Sequence, residues 1–146
     1  MKEIKGNAWE VYLDYDVLCL TTNGFVKNDG SCVMGRGIAK EAKDRFPALP
    51  KILGEGIRRY GNRCIKLAKV NDTQLISFVV KHNWWEEADI NLIIKSANEV
   101  VEMADKFGWK NILLPRPGCG NGKLKWNDVK PILEEILDDR FYVITF

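Results

Sequence analysis

The chain has 146 residues, 46% of them hydrophobic, and its 22 Lys and Arg against 20 Asp and Glu leave a net charge of +2. That length suits a single domain over residues 1–146 with a real core, and the composition excludes an intrinsically disordered chain. No basic run is long enough to read as a nucleic-acid-binding stripe, and Arg58-Arg59 with Arg63 reads as ordinary surface chemistry, so charge names no partner.

No apolar run approaches the roughly 20 residues that span a bilayer, and Met1 to Lys5 lacks the apolar region of a secretory signal, so no membrane partner is expected. Cys19, Cys32, Cys64 and Cys119 lie far apart, and His82 is the single histidine. That spacing argues against a disulfide framework and a zinc site, and points to a reduced, cytoplasmic protein.

In chain order, Trp9–Leu13 and Asp16–Thr22 read as strands, the second almost wholly apolar or β-branched. Asn28-Asp29-Gly30-Ser31 is a turn cluster. Arg36–Phe46 reads as a helix with Ile38, Ala39, Ala42 and Phe46 on one face, stopped by Pro47. Pro50–Tyr60 is a weaker helix interrupted by Gly54 and Gly56. Cys64–Val70 and Gln74–Val80 flank the turn Asn71-Asp72 as a hairpin. Asp89–Phe107 is the clearest helix, capped by Asp89 and ended by Gly108. Asn111–Leu114 reads as a short buried strand. Asn127–Leu137 is a helix with Pro131 in or near its first turn, and Phe141–Phe146 is a closing strand. Strands alternating with amphipathic helices predict an α/β fold, a mixed sheet with helices on both faces.

Two loops stand out. Gly118, Gly120 and Gly122 follow an apolar strand and precede a helix, and Met34-Gly35-Arg36-Gly37-Ile38 also precedes one. Glycines expose backbone N–H groups, and a helix N-terminus favours anions, so each loop reads as a phosphate cradle. Two cradles in one small domain suggest a ligand with two phosphates, held beyond the carboxyl ends of the strands.

With these loops, Lys5-Gly6-Asn7, Thr22-Asn23 and the stretch Ile76 to Trp84, the chain resembles a macro domain, the three-layer α/β/α fold that binds ADP-ribose. The likeness is to the branch of DNA ADP-ribosyl glycohydrolase antitoxins and terminal ADP-ribose glycohydrolases. It implies that Met34, Gly35, Arg36, Gly37 and Ile38 hold the diphosphate and distal ribose from one side. Gly118, Cys119, Gly120, Asn121, Gly122, Lys123 and Leu124 would close over them from the other. Asn23 matches the asparagine on the distal ribose. Lys81 matches a lysine that reaches the ribose carbon where the ADP-ribosyl bond is cut, as Schiff-base nucleophile or as stabiliser of the leaving oxygen. The resemblance implies a monomer acting on an ADP-ribosylated macromolecule, DNA or protein, with no metal or cofactor. A phosphatase of ADP-ribose-1″-phosphate and a non-catalytic reader are the alternatives.

Three positions depart from the family pattern. Asn7 stands where many members carry an aspartate for the adenine amino group, Leu20 replaces the earlier asparagine of a pair, and Gly122 occupies the place of a second catalytic aspartate. Glycine at that place is shared with the antitoxin-like branch. Phe25–Cys32 reads as an insertion. Among tempting residues, His82 points away from Lys81 along a strand and reads as solvated or structural. Cys119 lacks a base and reads as packing. One of Trp84 and Trp85 is expected in the core and the other on the cavity wall, and Trp126 is expected to pin the loop to its helix. Phe146 is placed near the adenine, stacking or packing in the core.

Overall fold

The computed structural model describes residues 1–146. Its centre is a six-stranded sheet in the order β1 (Lys2–Lys5), β6 (Phe141–Thr145), β5 (Ile112–Pro115), β2 (Val17–Thr22), β4 (Thr73–Val79), β3 (Lys66–Val70). All neighbours pair parallel except β3 with β4, the hairpin turning at Asn71, whose φ is 52°.

Strand periodicity decides what each face buries. On β2, Val17 and Cys19 point into one core with Ile76, Phe78, Ile93, Ala97 and Leu133. Leu18 and Leu20 point into the other with Trp9, Tyr12, Ala42, Leu49 and Leu53. The first core is covered by α4 (Ile90–Phe107) and α5 (Trp126–Glu134), the second by α1 (Ala8–Val11), α2 (Gly37–Arg45) and α3 (Leu49–Tyr60). The result is the expected three-layer α/β/α arrangement with a mixed sheet. Every residue of β4 is buried, which suits a strand covered on both faces. Leu20, at the place of the absent asparagine, is one of those core residues. No helix is long and apolar enough to cross a membrane.

Two elements differ in kind from the sequence reading. Trp9–Leu13 is helical: α1 runs into a 3₁₀ turn at Tyr12–Asp14. Asn7 caps α1 by accepting the Trp9 N–H at 3.0 Å, and Trp9 and Tyr12, three residues apart, bury their rings edge-on at 5.2 Å while Leu13 is exposed. A cap and an i,i+3 buried pair outweigh the alternation of Trp9, Val11 and Leu13. Lys2–Lys5, assigned no element in the sequence reading, is an edge strand paired with β6.

Helix α4 runs as expected, with Asp89 accepting the Asn91 N–H at 2.8 Å and Gly108 left-handed at φ 69°. The last helix stops at Glu134 rather than Leu137, and Pro131 lies in its second turn, not its first. The glycines of α3 are packing residues rather than interruptions. A Cβ at Gly54 would collide with the Gly30 carbonyl oxygen, so this glycine lets the Phe25–Cys32 excursion lie directly on the helix. The Cys32 N–H donates to Pro50 O at 2.9 Å in the same contact.

Candidate ligand-binding cavity

The carboxyl ends of β2, β4, β5 and β6 open into one cavity of about 1300 Å³. Its walls are the loop into α2, the loop from β5 to α5, the turn after α1's cap and the segment after β4. Such a volume takes a ligand of dinucleotide size.

Both loops present unpaired backbone donors. The N–H groups of Gly35, Arg36, Gly37 and Ile38 find no acceptor in the protein, and α2 has no side-chain cap. The same holds for the N–H groups of Gly120, Asn121 and Gly122. Uncapped amides along a cavity wall, with Arg36, Lys81, Arg116 and Lys125 around them, have the chemistry to receive an anion. A Cβ at Gly120 would meet nothing within 4 Å, so the fold does not demand glycine there, and the space it leaves belongs to the cavity. Gly118 and Gly122 are different. Gly118 is left-handed at φ 76°, and a Cβ on Gly122 would sit 2.5 Å from Gly118 O and 2.7 Å from the Ala88 Cβ. An aspartate at 122 is therefore excluded by close packing of the loop on itself and on Ala88, which also donates its N–H to Gly122 O at 3.0 Å.

Lys81 lies two residues past β4, and its Nζ donates to Asn121 O at 3.3 Å and Trp84 O at 3.4 Å. Burial, then the charges of Arg36 and Lys123, pull its pKa below the ordinary lysine range. Its backbone is pinned on both sides. The N–H groups of Val80 and Lys81 converge on Thr22 O, and Asn62 Nδ2 donates to Lys81 O at 3.2 Å. Nothing in the sequence singled out Asn62. It packs so tightly on Gly24 that a Cβ there would lie 2.5 Å from Asn62 Nδ2.

Asn7, Asn23, Met34, Gly35, Arg36, Gly37, Ile38, Lys81, Gly118, Cys119, Gly120, Asn121, Gly122, Leu124 and Phe146 all line this cavity. Lys123 does not; left-handed at φ 65° and exposed, it contributes its charge to Lys81 from outside the lining. Asn23 is more committed than expected. Its Nδ2 donates to Val33 O at 2.9 Å and its Oδ1 accepts the Phe25 N–H at 2.8 Å, so it clamps the excursion and keeps one N–H for a ligand. Asn7 likewise spends one acceptor lone pair on the α1 cap.

His82 is exposed and bonds Asp89 Oδ2 at 2.9 Å, tying the segment to the start of α4. Cys119 Sγ lies 3.4 Å from Pro117 O, and burial raises its pKa, which suits packing and not nucleophilic attack. Neither Trp84 nor Trp85 is in the core: both are exposed, Trp84 on the cavity lining and Trp85 outside it, because the turn after Lys81 leads the chain outward before α4 returns it. Phe146 is 89% exposed at the rim, which removes the core-packing alternative. Trp126 pins the loop further than expected. Its Nε1 donates to Glu3 Oε1 on β1 at 2.8 Å, and the Arg116 guanidinium stacks 5.0 Å from its ring. Glu3 also pairs with Lys130 at 2.6 Å, and these bonds hold its carboxyl below the usual range.

No protein-family profile matches the chain. A DNA ADP-ribosyl glycohydrolase of Thermus aquaticus is 24% identical over 144 residues, which cover 94% of this chain and 38% of that protein. The chain spans about a third of the length of the curated relatives it matches first, at 31% and 38%. Among solved structures, the macrodomain of Thermus aquaticus DarG superposes with a TM-score of 0.80 at 22% identity, covering 99% of this chain and 97% of that one. Thermosipho africanus DarTG in complex with ADP-ribose gives 0.79 at 23% identity, covering 98% of this chain and 41% of that one. A correspondence that runs from the first strand to the last at this similarity shows that the chain has the macrodomain fold, as in DarG.

Proposed function

We propose that this macrodomain binds ADP-ribose and hydrolyses the bond joining it to a modified macromolecule, with DNA rather than protein as the acceptor. The carrying observation is Lys81 Nζ, held between Asn121 O and Trp84 O where the two amide-lined loops meet. The unpaired amides of Gly35–Ile38 and Gly120–Gly122 take the diphosphate, Asn23 offers its free N–H to the distal ribose, and Phe146 lies against the adenine. The relative's name as a DNA ADP-ribosyl glycohydrolase supports the acceptor.

Lys81 supplies the chemistry. Its neutral amine attacks the anomeric carbon of the distal ribose. The acceptor departs with the electron pair of the broken bond and takes up a proton. The N-glycosyl lysine so formed opens its ribose ring to an imine, the bond from the anomeric carbon to the ring oxygen breaking as that oxygen takes the amine proton. Water then hydrolyses the imine, releasing ADP-ribose and restoring the lysine. Lowered basicity favours this nucleophilic role over a purely electrostatic one. The domain acts as a monomer in the reducing cytoplasm, where its four unbridged cysteines stay free. Incubation with ADP-ribosylated DNA and protein conjugates tests the reading. Release of ADP-ribose supports it, phosphate release from ADP-ribose-1″-phosphate alone points to a phosphatase, and binding without turnover points to a reader.

Gly120→Val checks the cradle separately. The open space at this position lets the variant fold, but the branched side chain then occupies the cavity, so ADP-ribose affinity should drop by about tenfold or more in calorimetry. Unchanged affinity would remove this loop from the diphosphate site.

A further inference from the structure

Beyond Lys81 the cavity opens onto an aromatic corner whose rings no step of the proposed hydrolysis uses. Trp84 is 49% exposed and Trp85 58%. Their ring centroids lie 5.5 Å apart at 88°, and Phe25 meets Trp85 at 5.3 Å and 70°. Phe25, Lys27 and Trp84 belong to the same cavity lining as Lys81. Adjacent tryptophans left in water, at the open end of a binding cavity, mark a surface for a partner rather than a core.

The corner is held in place before any partner arrives. Trp84 O accepts from Lys81 Nζ, Asn83 Nδ2 donates to Glu86 Oε1 at 2.7 Å, and the Phe25 N–H donates to Asn23 Oδ1. A rigid aromatic surface loses little entropy when something stacks on it.

We infer that Trp84, Trp85 and Phe25 form a stacking subsite for a base of the nucleic-acid strand that carries the ADP-ribosyl group, with Lys27 facing its phosphates. The inference rests on the proposed hydrolase reading. An ADP-ribosyl group whose distal ribose lies at Lys81 delivers its acceptor here, because Lys81 Nζ is bonded to the Trp84 carbonyl itself. Two perpendicular rings give one face to stack on and one wall to abut. A flat heteroaromatic base uses both, and an aliphatic carboxylate side chain uses neither.

Charge agrees. The exposed Glu86 and Glu87 repel any polyanion, so a strand's phosphates must lie on the side of the corner away from them. On the other side, exposed Lys27, whose carbonyl accepts from Arg58 Nη2 at 3.1 Å, leaves a cationic approach for a phosphodiester. A base within a duplex has both faces covered, so the strand that fits is single or locally unpaired.

The test is Trp85→Ala in the full chain, since Trp85 lies outside the cavity lining and is largely in solvent. Two substrates, an ADP-ribosylated single-stranded oligonucleotide and an ADP-ribosylated glutamyl peptide, are compared by KM, and free ADP-ribose, the product, by its Kd. For the oligonucleotide KM should rise about tenfold with kcat unchanged, while the peptide and free ADP-ribose show no change. Trp85→Phe should restore most of the loss. An unchanged KM, or an equal loss on both conjugates, overturns the subsite. If the wild type cleaves neither conjugate, the hydrolase reading fails on its own, and fluorescence titration with the unmodified oligonucleotide still decides. Quenching that disappears in Trp85→Ala supports the subsite, and its absence in the wild type overturns it.

Discussion

Replacing Lys81 with alanine should cut release of ADP-ribose by about a hundredfold or more, while calorimetry finds the affinity for free ADP-ribose little changed. That split marks an interaction made mainly in the transition state. No neighbour can mask the loss: Gly122 has no side chain, His82 is turned to Asp89, and Cys119 is held protonated by burial. The pH profile separates the two roles a lysine can play. Lysine is charged below its pKa and neutral above it. A nucleophilic Lys81 therefore gives a rate that rises with pH and levels off at the lowered pKa. A purely electrostatic Lys81 gives a rate that falls through the same point. Lys81→Arg keeps a charge but stays protonated, so it should be inactive under the first role and partly active under the second. A Lys81→Ala protein cleaving at the wild-type rate would remove the residue from the mechanism.

Gly122→Asp should damage this protein instead of adding a second catalytic carboxylate. The would-be Cβ lies 2.5 Å from Gly118 O and 2.7 Å from the Ala88 Cβ, one backbone and the other a short rigid side chain, so the loop must move. Overpacking of this kind costs about 1–3 kcal/mol, and thermal unfolding should fall by several degrees. The shifted loop carries the amides of Gly120 and Asn121 with it, so ADP-ribose affinity should drop about a hundredfold. Gly122→Ala is the informative control. The clash begins at the Cβ, so alanine should reproduce most of both losses. An alanine variant with wild-type affinity beside a crippled aspartate variant would put the cause in charge and refute the packing account.

How much of this was legible in the sequence depended on whether local and tertiary signals agreed. Helix α4 was readable end to end because 18 residues carry an apolar stripe between a capping Asp89 and a left-handed Gly108. Helix α1 was not, because four residues cannot display a 3.6 period, and the alternation across Trp9, Val11 and Leu13 mimics a strand. Strand β1 was hidden by Lys2, Glu3 and Lys5, charges suited to a sheet edge and resembling a solvated terminus. In the site, glycine spacing disclosed both loops, since glycine is there for backbone reasons. Side chains whose duty is set by distant partners stayed hidden. Nothing local says that Asn23 clamps Val33, that Asn62 holds the Lys81 carbonyl, or that Trp85 stays in solvent.

The pairing of β1 with β6 has a consequence for how the molecule comes to work. Strand β1 can find its place only beside β6, far along the chain, because β6 alone joins β1 to the sheet. Glu3, on that first strand, is the anchor for Trp126 and Lys130 behind the glycine loop. A nascent chain that has already produced both cradle loops and Lys81 therefore still lacks the buttress of one of them until Phe141–Thr145 has emerged. Such a long-range closure is slow to form. Competence for ligand should thus arise only once β6 has joined β1 to the sheet.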